Sequence, residues 1–221
     1  MDTPSLVLAS ASPRRRRLVS WLGVPVRLAA ADTAEDLTPP LDSADLACAL
    51  AAEKATAVQA DGAAETVLAF DTIVVHGGRV LGKPRDRDDA RRMLAELSGG
   101  THDVVTGVAI LPAGTTTPDT FAVVTPVAMR SLPAETVDAW LGGDEVLGCA
   151  GAYNIEHHLA SVADDQCFNN VAGMPLCHVY AELASGRAGI VPPGLTVPVI
   201  ACDAALGRHC LLGPKVCAPG T

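Results

Sequence analysis

Aromatic side chains are scarce in this chain: two Trp, two Tyr and three Phe, 3% of 221 residues. Its core must therefore be built from small and branched aliphatic residues. Those are plentiful, since 49% of the residues are hydrophobic and much of that is alanine, which favours helix and points to an α/β or α+β protein. No run reaches the roughly 18 uninterrupted apolar residues of a membrane-spanning helix, so no membrane partner is expected. The arginines follow an apolar stretch at the N-terminus, the reverse of a secretory leader, and a cytoplasmic location is expected. Positive charge is in deficit, with 16 Lys and Arg against 25 Asp and Glu. The resulting net charge of −9 argues against broad binding to a nucleic acid polymer. It leaves room for a small anion in a local basic pocket.

A recognisable cysteine framework is also missing. Seven is an odd number, and Cys48, Cys149, Cys167 and Cys177 are scattered in the manner of buried thiols. Cys202, His209, Cys210 and Cys217 cluster near the end, but C-x6-H-C-x6-C is no standard zinc spacing. They are read as inert thiols, with a structural metal as the alternative.

What is present reads as alternating strands and helices. Leu6 to Ala9 is a short buried strand. Ser12 and Pro13 open a helix as N-cap and first helical residue, and that helix runs to about Leu22. Val26 to Ala31 is a second strand, and Asp32 to Asp42 an acidic, proline-bearing loop. Ser43 caps a helix to about Ala60, with Leu46, Ala47, Leu50, Ala51 and Val58 at helical spacing. Val67 to Val75 is a buried strand leading through His76-Gly77-Gly78-Arg79 into a hairpin. A charged amphipathic helix follows from Asp86 to Leu97. His102 to Leu111 and Asp119 to Arg130 are long strands, and helices are expected over Glu135 to Leu141 and Pro175 to Ala184. Residues 187–221 are broken by Pro192-Pro193-Gly194 and Gly213-Pro214 and are expected to form an irregular tail.

The chemistry starts from Asp71, a carboxylate in the middle of that buried strand. Burying it ionised costs several kcal/mol, on the order of 3–5, unless a cation or hydrogen bonds compensate. Its apolar flanks favour a metal ligand or general base over a structural aspartate. Arg14, Arg15, Arg16 and Arg17 occupy the start of a helix, where each cation is unfavourable by roughly 0.3–1 kcal/mol unless an anion is bound. The alternatives are a phosphate site or a solvated basic face. Lys54 falls on the apolar stripe of its helix and either snorkels outward or points into a cleft. Lys83 is held on the stiff turn Gly82-Lys83-Pro84. Asp32 and Glu35 are either solvated or add oxygen ligands to a magnesium site. His157 and His158 are adjacent and point to opposite faces, which fits a surface or pocket rim better than one shared ion. Tyr153 is either core or a stacking platform.

Several of these segments, in order, resemble the Maf family of nucleoside triphosphate pyrophosphatases. The likeness rests on Leu6-Val7-Leu8-Ala9-Ser10-Ala11-Ser12-Pro13-Arg14-Arg15, Glu53-Lys54-Ala55, Ala69-Phe70-Asp71-Thr72-Ile73-Val74 and Leu81-Gly82-Lys83-Pro84. It continues through Leu97-Ser98-Gly99, Thr106-Gly107-Val108, Ala150-Gly151-Ala152-Tyr153 and Val171-Ala172-Gly173-Met174-Pro175-Leu176. The resemblance covers a domain of residues 1–186 and leaves 187–221 outside. It implies an α/β fold similar to inosine triphosphate pyrophosphatases, with an elongated mixed β-sheet, flanking helices and a cleft between two lobes. It implies hydrolysis of a nucleoside triphosphate to monophosphate and pyrophosphate, with Mg²⁺ or Mn²⁺ and usually as a homodimer. By motif, Asp71 would be the catalytic carboxylate and, with Glu35, a metal ligand. Ser10, Arg14, Arg15, Lys54 and Lys83 would bind phosphates, and Thr72, Tyr153 and Glu156 would shape the base pocket. Two departures stand out. Ala34 replaces a usual acidic residue, and Asn154-Ile155-Glu156-His157 replaces the Gly-Ile-Gln-Gly of pyrimidine-preferring members. Glutamate there resembles the 7-methyl-GTP subgroup, while Ser12-Pro13-Arg14-Arg15 resembles the dTTP/UTP subgroup, so the base preference stays open. The alternative is a nucleotide-binding regulator of cell division with little or no turnover.

Overall fold

One seven-stranded mixed sheet organises the chain, in the computed structural model, which describes residues 6–30, 36–37, 41–187 and 189–218. The elements in order are β1 (Leu6–Ala9), α1 (Pro13–Val19), β2 (Val26–Leu28), α2 (Ser43–Ala60), β3 (Thr66–His76), β4 (Arg79–Leu81), α3 (Arg87–Leu97), β5 (Thr101–Leu111) and β6 (Asp119–Met129). Then come α4 (Ala134–Leu141), β7 (Ala160–Ser161), α5 (Phe168–Val171), α6 (Leu176–Ala184), α7 (Val199–Leu206) and α8 (Gly213–Val216). The strand order is β2-β1-β3-β5-β6-β7, with β4 also on β3. β2, β1 and β3 run parallel, and the remaining pairings are antiparallel.

Alternation along β3 sorts its side chains between two cores, as the period of a strand requires. Leu68, Phe70 and Val74 face the larger cluster, with α1, α3, α4 and α6. Val67, Ala69 and Ile73 face α2, against Leu46, Ala47, Leu50, Ala51, Ala55 and Val58. Each fully buried Leu or Ile contributes roughly 1.5–3 kcal/mol. Asp71 shares the parity of Val67, Ala69 and Ile73 and so belongs to the α2 side. The small residues of α2 let it lie against the sheet. A Cβ on Gly107 of β5 would stand 2.1 Å from the Ala47 carbonyl oxygen, so only glycine admits the helix there. Gly107 is the register partner of Asp71. Lys54 lies about two helical turns beyond Ala47, on the same stripe.

The partners of β3 change along its length. β1 pairs with it from Thr66 to Ala69, and β4 from Val74 to His76. Between them one edge of β3 is open, and Asp71 and Thr72 lie in that opening. β1 ends there and its chain turns away into Ser10, so the gap lies beyond the carboxyl end of a parallel strand, where open α/β sheets bind ligands.

Several expected boundaries shift, each for a local reason. α1 ends at Val19 and its last turn tightens to a 3₁₀ turn over Ser20–Leu22, closed by Gly23 at φ 72°. Ser12 caps α1 as expected, its hydroxyl accepting from Arg15 N at 3.5 Å. The cap of α2 is Asp42 and not Ser43, because one carboxylate oxygen meets both Ala44 N and Asp45 N at 2.9 Å. β2 stops at Leu28. The tail expected to be irregular carries α7 and α8. Pro198 and Pro214 stand at their starts, where a missing N–H costs nothing. Thr196 N donates to Leu22 O at 2.8 Å and Leu211 N to Asp164 O at 3.0 Å, tying this segment to the rest. Among the described residues, no three His, Cys, Asp or Glu side chains are grouped to hold a metal ion, and no helix is long and apolar enough to cross a membrane.

Candidate active site

The opening beside β3 widens into a cleft of about 710 Å³, within the range of small-molecule sites. Ser10, Arg14, Arg15, Lys54 and Lys83 line it, as do Asp71, Thr72, Tyr153 and Glu156. Residues up to 164 positions apart in sequence thus converge on one cavity (Ala9 to Gly173). Glu35 and Asp32 lie outside the described residues. Five cations line the cleft (Arg14, Arg15, Arg17, Lys54, Lys83) against four carboxylates (Asp71, Asp144, Glu145, Glu156). The ratio is reversed from that of the whole chain, which makes the cleft the local basic pocket that the overall charge leaves possible.

Asp71 is nearly inaccessible, its side chain 3% exposed, and it forms an ion pair through Oδ1 with Lys54, itself 12% exposed. Of the two directions open to Lys54, the structure has it pointing inward to the cleft. The pairing explains how the strand tolerates a charge. Asp71 Oδ2 is buried with no hydrogen-bond partner among the described residues. A carboxylate oxygen with free lone pairs, lining a cleft, suits a hard divalent cation whose other ligands are water and phosphate oxygens. The donor chemistry therefore fits Mg²⁺ or Mn²⁺.

The arginines of α1 do different things. Arg15 is braced from three sides. Its Nε donates to Gly173 O at 2.8 Å, its Nη2 to Thr72 Oγ1 at 2.9 Å, and its guanidinium lies 5.7 Å from the Phe70 ring centroid. Nη1 also reaches Ser10 Oγ at 3.5 Å, the oxygen that accepts from Ser12 N at 3.2 Å. Gly173 has φ 96°, and a Cβ there would stand 3.2 Å from Arg15 Nε, so glycine lets the guanidinium approach the backbone. Arg14 is held more loosely: Nη1 donates to Cys149 Sγ at 3.4 Å, and Nε is buried without a partner among the described residues. Arg17 forms an ion pair with Glu156. Arg16 is exposed and does not line the cleft.

At the other end, Thr72 Oγ1 lies 3.0 Å from Thr106 Oγ1, which donates to Asn170 O at 3.0 Å. Thr106 has one proton, so Thr72 must be the donor between the two hydroxyls. A directed chain results, from Arg15 through Thr72 and Thr106 to a backbone carbonyl. The Thr72 proton is committed to this chain. Tyr153 is 5% exposed, and its Oη lies 2.7 Å from His102 Nε2. Asn154 Nδ2 donates to Glu145 Oε2 at 3.0 Å while its Oδ1 accepts from Glu156 N at 3.1 Å, which fixes the turn carrying Glu156. His157 is exposed and does not line the cleft, its ring 4.7 Å from that of Trp140, and His158 adopts a left-handed backbone at φ 58°.

Sequence reasoning singled out the cations and Asp71 but not their supports. Thr106, Asn170, Gly173, Cys149 and His102 do not look like site residues one at a time. Thr106 and Gly173 stand inside segments that carry the family resemblance, and that is their only signal in the sequence. Asn170 is fully buried, its Nδ2 bonding Val104 O, Val123 O and Thr125 Oγ1 at 2.9–3.1 Å. It ties α5 to β5 and β6 beneath the cleft.

The Maf-like protein family matches residues 5–186. A dTTP/UTP pyrophosphatase from Anaeromyxobacter dehalogenans (strain 2CP-1 / ATCC BAA-258) is 44% identical over 86% of this chain and 97% of its own length. One from Geobacter sulfurreducens is 39% identical over 83% and 97%, and one from Salinibacter ruber 35% identical over 84% and 93%. Among solved structures, a HAM1 protein from Coxiella burnetii is similar over 59% of this chain and 75% of its own, at 15% identity and TM-score 0.42.

Proposed function

Because the chain belongs to the Maf family, we propose that it hydrolyses a pyrimidine nucleoside triphosphate, dTTP or UTP, to the monophosphate and pyrophosphate. The observation that carries this reading is Asp71, buried, ion-paired through one oxygen and unpartnered at the other, in a cleft lined by five cations. The names of the three relatives support the base. The Arg17–Glu156 ion pair supports it too, because a carboxylate already neutralised by a guanidinium offers less to a cationic methylated guanine.

In this reading Lys54 engages Oδ1 of Asp71 and leaves Oδ2 to the cleft. Oδ2 then accepts the proton of the attacking water, or holds the cation, at the bond between the α- and β-phosphates. A divalent cation bound by Asp71, with Glu35 as a second ligand, would draw charge from the triphosphate and the departing pyrophosphate. Arg14, with a donor still free, takes phosphate oxygens directly. Arg15, braced by Gly173 and Thr72, offers its guanidinium in one orientation, and Ser10 and Lys83 complete the phosphate end. Tyr153 walls the nucleoside end. A cytoplasmic homodimer, with no membrane or nucleic acid partner, belongs to the same proposal.

The test is pyrophosphate release from dTTP, UTP, 7-methyl-GTP and the common triphosphates with Mg²⁺ or Mn²⁺. Release from dTTP and UTP ahead of the others supports the proposal. A preference for 7-methyl-GTP overturns the base assignment, and tight binding with no pyrophosphate overturns the activity in favour of a regulator.

A further inference from the structure

His102 is buried, 5% exposed, on β5, and no step above uses it. It stands 51 residues before Tyr153, and the two rings meet edge to face with centroids 5.3 Å apart and planes at 78°. Their one polar contact, Nε2 to Oη, is 2.7 Å. The other ring nitrogen, Nδ1, is buried with no partner among the described residues. Either arrangement leaves one proton without a protein acceptor: Nδ1–H, which is buried, or the phenol O–H, on a residue that lines the cleft. A buried N–H without an acceptor is the costlier of the two. Donation from Nε2–H to the phenol oxygen, with the phenol proton turned to the cleft, is therefore the arrangement of lower cost. The imidazole is also neutral in this setting: burial, with the charge of His76 second, lowers its pKa from 6.5 to about 4.

We infer that His102 is a positioning residue for nucleoside recognition: its Nε2–H pins the Tyr153 hydroxyl and so fixes the ring that walls the cleft. Tyr153 Oη has no other partner among the described residues, so without His102 the phenol loses the contact that sets its tilt. With the hydroxyl accepting from His102, its own proton is left for an acceptor oxygen such as those of a pyrimidine. The backbone here is itself constrained. Ala152 holds φ 61°, and its carbonyl accepts from Trp140 Nε1 at 2.7 Å, so the main chain before Tyr153 is clamped and His102 clamps the side chain. Pre-ordering of this kind lowers the entropy lost when a ligand binds. The phosphate end shares none of these contacts. His102 does not line the cleft, whereas Val104, two residues on and on the same face, does. This inference rests on the proposed nucleotide site but not on turnover.

The experiment is equilibrium binding of a non-hydrolysable α,β-imido analogue of dUTP, set beside inorganic tripolyphosphate, which has no nucleoside. For His102→Leu the analogue binds about 3- to 10-fold more weakly, in line with loss of one buried hydrogen bond, and tripolyphosphate binding stays within about 2-fold. His102→Gln, which keeps an N–H at a similar reach, recovers most of the loss. Tyr153→Phe, which removes the hydroxyl with almost no change of shape, shows the same nucleoside-specific weakening, and adding His102→Leu to it costs little more. Equal weakening of both ligands in the well-folded Tyr153→Phe protein, or unchanged analogue binding, overturns the proposal. If the wild type binds the analogue but releases no pyrophosphate from dTTP or UTP, the proposed activity fails, while the role of His102 is still read from the binding ratio.

Discussion

Lys54→Met removes the cation from Asp71 and keeps the bulk of the side chain. Asp71 and Lys54 are 3% and 12% exposed, so water replaces the lost partner only in part. Removing one member of a buried pair costs about 3–5 kcal/mol, because the other charge is left uncompensated. Lys54 retains a little access to the cleft, which puts the expected loss near the lower end, about 3 kcal/mol. For a chain of this length each kcal/mol lowers the melting temperature by about 2–4 °C, giving a fall of about 6–12 °C. The double variant Lys54→Met with Asp71→Asn removes both charges and should regain about 2 kcal/mol of that loss, the coupling expected of residues in contact. Urea titration of the wild type, both single variants and the double variant closes the cycle. Equal stability of Lys54→Met and the double variant would refute the reasoning, since the penalty would then not arise from a stranded carboxylate.

Stability should also fall as pH drops from about 6.5 to about 4. Unfolded His102 takes up a proton in that window that the folded protein refuses, so the unfolded state binds more protons and stability rises with pH. The full span corresponds to about 3 kcal/mol at most. Burial lowers the pKa of His178 as well and acts in the same sense. His102→Gln should flatten the denaturation midpoint across that window, and an unchanged slope would remove His102 as its source. Gly107→Ala drives a methyl to 2.1 Å from a backbone oxygen of α2, so the helix must shift. The expected cost is about 1–3 kcal/mol, with a loss of turnover beside it, because Lys54 moves with α2. Calorimetry and pyrophosphate release read the two effects, and an intact turnover in Gly107→Ala would break the link between that contact and the site.

Much of the fold was legible because hydrophobic period and end chemistry agreed. Leu6 to Ala9, Ser12 with Pro13, the stripe of α2 and the long run through Asp71 are examples. The two caps at α2 were not separable in sequence, since Asp42 and Ser43 are both good caps and only geometry shows which oxygen meets two N–H groups. The helices of the tail were hidden because their prolines read as breakers when they stand at helix starts. At the site, charge was legible and support was not. A buried carboxylate and a run of arginines announce themselves by their cost. The direction of Lys54 depends on where α2 sits, and that depends on Gly107. The Thr72 hydroxyl meets Arg15 and Thr106, 57 and 34 positions away, and no local pattern signals that pairing. The partnership of His102 with Tyr153 spans β5 to a distant turn and leaves no local trace.

The central claim is that Asp71 is kept charged and half-unpartnered because it acts on a nucleoside triphosphate. The most direct measurement is the rate of pyrophosphate release from dTTP by Asp71→Asn, with the fold checked by circular dichroism. The account predicts a fall of about 10²–10⁴-fold in a folded protein. Turnover within a few-fold of wild type would contradict it.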